Sequence, residues 1–127
     1  MLDFPCPDWT VAVQLFFALV IGHSVADFPL QGEFLAVGKN RRILMRLKDP
    51  ARPPEMWVFC MAAHCLIHAG SVWLISGSVV LGVVELVLHW GLDVAKCNGR
   101  TNFAFDQIAH VACKAVYVIV GTVFLAN

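Results

Sequence analysis

The sequence predicts an all-α fold, an integral membrane four-helix bundle. Hydrophobic residues make up 59% of the 127 positions and charged residues only 14%, far less charge than a soluble domain of this size needs to cover its surface. Four apolar segments stand out, at about residues 9–28, 56–76, 79–96 and 103–126. Each is close to the ~20 residues that carry a helix across ~30 Å of hydrocarbon, the third being short. None alternates with a period of two. Helices, which satisfy their own backbone in lipid, are therefore expected rather than barrel strands. The length fits a single domain, residues 1–127. The net charge is zero, which offers no basic field to nucleic acid and excludes it as a partner.

The first helix is expected from about Trp9 to Phe28, and Pro29 ends it at the interface. Its leading flank carries Asp3 and Asp8 and no Lys or Arg, the reverse of a signal-peptide n-region, so a retained helix is expected. A basic loop follows, about residues 29–55, with Lys39, Arg41, Arg42, Arg46, Lys48 and Arg52. It holds either a short interfacial helix around Phe34 to Leu47 or a solvated stretch that only sets topology. Helices two and three meet at the turn "SGS", Ser76 to Ser78, and helices three and four at "NGR", Asn98 to Arg100. Lys96 and Arg100 lie on the same side as the basic loop. The positive-inside rule makes that side cytoplasmic and puts both termini outside. The remaining basic residue, Lys114, falls inside helix four.

The polar residues inside the helices are regularly spaced. Helix one has His23 and Asp27, and helix two has His64 and His68. Helix three has Glu85, His89 and Asp93, and helix four has Asp106, His110 and Lys114. Every interval is four, which puts each set on one helix face, and all five histidines belong to these sets. The deeper members lie roughly 10–20 Å from the cytoplasmic loops at ~1.5 Å per residue. A hairpin register that sets His89 opposite His110 also sets Asp93 opposite Asp106 and Glu85 opposite Lys114. Setting His23 opposite His68 likewise sets Asp27 opposite His64. The four faces are therefore expected to converge at one level.

Imidazole and carboxylate in i, i+4 pairs from facing helices are the ingredients of a bundle metal site. The expected ligands are His23, Asp27, His64, His68, His89, Asp93, Asp106 and His110, enough for one or two divalent ions of Zn, Fe or Mn, with some members orienting others. A polar network that merely fastens helices is the plainer alternative. Membrane hydrogen bonds are worth only about 0.6–2 kcal/mol, whereas a central Asp costs about 2.5–3.5 kcal/mol on insertion scales. Several acids and five histidines would be a costly fastener. Asp93 and Asp106 lie nearest the interface and are the members most open to simple hydration. Glu85 and Lys114 sit one turn deeper and are expected to form a neutralising ion pair, although Glu85 also has the chemistry of a ligand or base. The five cysteines (Cys6, Cys60, Cys65, Cys97 and Cys113) form no CxxC and imply no disulfide framework. Cys60, one turn before His64, is read as a packing residue rather than a soft ligand.

Taken in order, "HSVADFPLQ", "HCLIH", "HWGLDVAK" and "FDQIAH" resemble the small bacterial and phage membrane proteins grouped as domain of unknown function 3307. The shared pattern is H-x3-D-F-x-x-Q, H-x3-H, H-x3-D-x2-K and D-Q-x2-H, spread over about residues 15–120. It matches His23, Asp27, Phe28, Gln31, His64, His68, His89, Asp93, Lys96, Asp106, Gln107 and His110. The resemblance implies a bacterial inner-membrane protein and draws attention to Lys96, Gln31 and Gln107 at the cytoplasmic rim. Lys96 would hold an anionic group there, or simply snorkel from a helix C-terminus. The long basic loop departs from the family pattern and would suit a partner particular to this chain.

Three functions are compatible with these residues. One is a metal-dependent hydrolase acting on a lipid-linked or phosphate-ester substrate, with Asp93 or Glu85 as base and Lys96 on the anion. The second is an ion- or redox-handling protein. The third is an accessory subunit of a larger membrane complex, or a homo-oligomer, stiffened by a structural metal. Membrane lipid surrounds the chain in all three.

Overall fold

The computed structural model describes residues 9–124, all-α, with six helices and no strand among them. Asp3, Cys6, Asp8 and the end of the expected fourth segment, residues 125 and 126, lie outside the described residues. The helices are α1 (Trp9–Asp27), α2 (Gly32–Gly38), α3 (Arg41–Leu47), α4 (Met56–Ser76), α5 (Val79–Cys97) and α6 (Phe103–Phe124). The four long helices match the four apolar segments. The basic loop holds two short helices rather than one, because Asn40 leaves the helical conformation and its side chain accepts hydrogen bonds from Arg42 N and Ile43 N, starting α3 afresh.

The chain's punctuation explains the other ends. Pro29 cannot continue α1, which closes with Phe28 N donating to Ser24 O at 3.1 Å. At the "SGS" turn, Gly77 takes the left-handed conformation (φ 74°) and its N–H donates to Trp73 O at 2.8 Å. Ser78 Oγ then accepts from Leu81 N and caps α5. Asn102 Oδ1 accepts from Phe105 N at 2.8 Å and opens α6.

The long helices close a cycle: α1 packs on α4, α4 on α5, α5 on α6 and α6 on α1. The helices approach closely where side chains are small. A Cβ on Gly82 would come within 3.0 Å of Ala69 O and 3.1 Å of Trp73 Cβ, so α5 lies directly against α4 there. Helix α2 packs on α4, and α3 on both. Leu15 and Leu19 of α1, Val72 of α4, Leu81 of α5, and Tyr117 and Val118 of α6 form a buried apolar cluster at the end away from α2 and α3. Large apolar residues face outward on every long helix, among them Phe17, Phe59, Leu74, Val87 and Ile108.

The expectation of four membrane-crossing helices is corrected in one respect. Three helices, Trp9–Asp27, Met56–Ser76 and Phe103–Thr122, are long and apolar enough to cross a membrane. Helix α5 falls short because Glu85, Asp93 and Lys96 all lie along it.

Candidate metal centre

Each long helix delivers its polar face to the end nearer α2 and α3. His23 and Asp27 occupy the last turns of α1, and His64 and His68 the middle of α4. His89 and Asp93 stand in the second half of α5, and Asp106 and His110 in the first turns of α6. All eight side chains are buried. They form three overlapping groups: Asp27, His64, His68 and His89; His23, His89 and His110; and Asp93, Asp106 and His110. Within each group, one potential ligand atom per residue lies within 4.8 Å of all the others.

On one side the group is built around Asp27. His68 Nε2 donates to Asp27 Oδ1 at 3.1 Å, and His64 Nε2 lies 3.4 Å from the same oxygen. Gln107 Nε2 donates to Asp27 Oδ2 at 2.6 Å, while its Oε1 accepts from His23 Nε2 at 3.3 Å. Gln107, expected at the rim, is therefore also part of the network. The rings of His68 and His89 stack at 3.7 Å, and those of His89 and His110 at 4.0 Å.

His89 is oriented from below. Its Nδ1 donates to Glu85 Oε1 at 3.1 Å, which fixes the tautomer and turns the Nε2 lone pair toward His64 Nε2, 3.1 Å away. Glu85 is itself held on both oxygens. Lys114 Nζ donates to Oε1 at 2.6 Å and Tyr117 Oη to Oε2 at 2.7 Å.

On the other side the carboxylates are ion-paired. Lys39 Nζ donates to Asp93 Oδ2 at 2.5 Å. Lys96 Nζ donates to Asp106 Oδ2 at 2.6 Å and to Asp93 Oδ1 at 3.3 Å. The expectation that Asp93 and Asp106 are open to hydration is corrected: they are 0% and 1% exposed. Lys39, from the loop after α1 and itself 4% exposed, reaches Asp93, and Lys96 of α5 reaches Asp106. Lys96 does not simply snorkel. Its side chain is 22% exposed and its ammonium is spent on two carboxylates.

The donor set fits a divalent cation. Histidine nitrogen with carboxylate oxygen suits Zn, Fe or Mn. Four buried cluster atoms, His23 Nδ1, His64 Nδ1, Asp106 Oδ1 and His110 Nε2, have no hydrogen-bond partner among the described residues. His110 Nε2 and Asp106 Oδ1 lie 3.3 Å apart, in ion-pair contact but off the line of a well-formed hydrogen bond. A buried polar atom left unpaired costs about 1–3 kcal/mol, a cost that a shared cation removes.

Two residues of the network lay outside the sequence expectations, and Gln107, expected at the rim, reaches further in than expected. Lys39 reads in the sequence as one more topology-setting cation. Tyr117 was not singled out, although a signal existed: it is the chain's single tyrosine, three residues after Lys114 and so on the same face. Gln31 stands just before α2 with its Oε1 buried and unpartnered among the described residues. Cys60 packs under Gly38, where an added Cβ would come within 2.6 Å of Cys60 Sγ.

The molecule is thus an all-α protein with buried His/Asp groups that could hold a metal and three helices fit to cross a membrane. Residues 15–127 match the family model described as "Protein of unknown function (DUF3307)", and the chain belongs to that family. No curated protein and no solved structure matches it significantly.

Proposed function

We propose that the chain is an integral membrane four-helix bundle of the bacterial inner membrane, with both termini outside. In this reading it holds one or two divalent ions, zinc or else iron or manganese, near its cytoplasmic face. It uses them to hydrolyse a lipid-linked or other phosphate ester. The observation that carries this reading is the convergence of eight buried His and Asp side chains from four helices into three overlapping ligand groups.

In this reading helix α5 crosses as the fourth span despite its composition, supported by charges that turn inward and are paired, Glu85 with Lys114, Asp93 with Lys39 and Lys96 with Asp106. Its large exposed side chains, Val79, Val80, Val83, Val84, Val87 and Leu88, are all apolar and suit lipid. A divalent ion in the centre supplies Lewis acidity and activates water at neutral pH. The protein's own groups divide the remaining work. Asp93, close to His64 and His110, is the proton acceptor. Glu85 orients His89 rather than acting as base, since it stands behind His89 and belongs to none of the three ligand groups. Lys96, at the more open side, would meet an anionic headgroup by exchanging its contacts with Asp93 and Asp106.

Ion transport is disfavoured by the apolar cluster of Leu15, Leu19, Val72, Leu81 and Val118, which fills the bundle beyond the polar level. The test is elemental analysis of the detergent-purified protein beside a His64→Ala/His68→Ala variant. About one or two equivalents of Zn, Fe or Mn, lost in the variant, is the expected result. Phosphoester turnover by the loaded protein would then support hydrolysis. A metal-free protein that stays so after reconstitution would overturn the metal reading, and the cluster would then serve as helix fastening.

A further inference from the structure

The two sides of the cluster differ in charge. Asp93 is paired with Lys39 and Lys96, and Asp106 with Lys96, so two carboxylates face two ammonium groups and cancel them. Deeper, Glu85 cancels Lys114. Among the described residues, Asp27 is the cluster carboxylate with no lysine or arginine against it; its partners are His23, His64, His68 and Gln107.

We propose that the centre takes a single divalent cation in the Asp27, His64, His68 and His89 group, and that the ammonium groups of Lys39 and Lys96 fill the role of a second cation beside Asp93 and Asp106. This rests on the metal reading above and deepens it. In a buried site charge balance governs occupancy, because unpaired charge is poorly screened there. One divalent ion beside Asp27 shifts that side from one negative to one positive charge, while a second ion beside Asp93 would stand against two ammonium groups already in place. The first group also contains the histidine that Glu85 orients. Glu85 fixes His89 so that its Nε2 lone pair faces the group, and three nitrogens with one oxygen make a tetrahedral zinc-type set.

The unpartnered Asp106 Oδ1 and His110 Nε2 give the proposal a second consequence. They are the donors a metal would use once the lysines are gone. Lys39→Met/Lys96→Met should therefore create a second metal site rather than abolish binding.

The experiment is titration of the detergent-purified full chain with Zn2+, read as bound metal per protein, and with Co2+, read by its visible absorption. Wild type should saturate at one equivalent in a single spectral phase. Asp27→Asn should lose that equivalent, and Lys39→Met/Lys96→Met should rise to two. Two equivalents in wild type, in two spectral phases, would overturn the proposal while leaving the metal reading intact. So would a folded lysine variant that stays at one. If the lysine variant does not fold, the Co2+ titration of wild type decides. No bound metal in wild type would sink both the metal reading and this inference.

Discussion

The two ends of the helix cycle are made by the same four helices and the same helical repeat, yet their inward faces have opposite chemistry. At one end Leu15, Leu19, Val72, Leu81 and Val118 fill the interior. At the other, five histidines, three aspartates and Lys39 fill it. Tyr117 joins the two: its side chain is part of the apolar cluster while its hydroxyl donates to Glu85. The apolar end needs only shape, because dispersion contacts are individually weak and interchangeable. The polar end needs every partner, because a buried charge that loses its counter-charge has no water to fall back on. Substitutions should therefore separate stability from ligand binding at one end and damage both at the other.

The largest effect is expected at Glu85. Glu85→Ala leaves Lys114 buried without its carboxylate and releases His89 Nδ1 and Tyr117 Oη. Breaking one side of a buried pair costs about 3–5 kcal/mol, and loss of a ligand's orienting partner typically lowers metal affinity by about 10–100-fold. Unfolding in detergent and a Zn2+ titration should both move. Glu85→Gln, which keeps two hydrogen-bonding atoms, should recover part of each. At the apolar end, Leu19→Ala should cost about 2–5 kcal/mol through the cavity it leaves, with bound metal per folded protein unchanged. If Leu19→Ala also strips the metal, the two ends are one cooperative unit and the contrast between them fails. Gly82→Ala should fall below both, at about 1–3 kcal/mol for overpacking, because the added carbon meets the Ala69 carbonyl, which cannot rotate away.

Much of the polar end was legible in the sequence because two regularities determine it. Intervals of four keep a set on one helix face, and short turns such as "SGS" and "NGR" lock antiparallel register, so His89 against His110 carries Glu85 to Lys114. Residues outside those regularities were not legible. Lys39 reaches Asp93 only because Asn40 breaks the loop helix in two and Gly38 lets α2 sit on Cys60, and neither residue advertises a path inward. Gln107 is one residue off the face of Asp106, so periodicity hid its bond to Asp27. The apolarity of α5 was overstated for the converse reason. A run of valines sets its hydropathy, while its three charges become acceptable only through partners on α2, α6 and the loop end, which no local window contains.

The smallest effect should come from the outward face, and it bears on what covers that face. Val87 lies between Glu85 and His89 in sequence but on the opposite side of α5, 66% exposed. If lipid surrounds it, Val87→Ala trades one set of hydrocarbon contacts for another, and stability should stay within about 0.5 kcal/mol, with metal content unchanged. A loss well above 1 kcal/mol in the native membrane that disappears in detergent would mean that Val87 packs against protein there. That outcome would point to a second copy or a larger complex on this face. It would leave the polar end untouched, because α5 presents its charges inward whether lipid or protein lies outside.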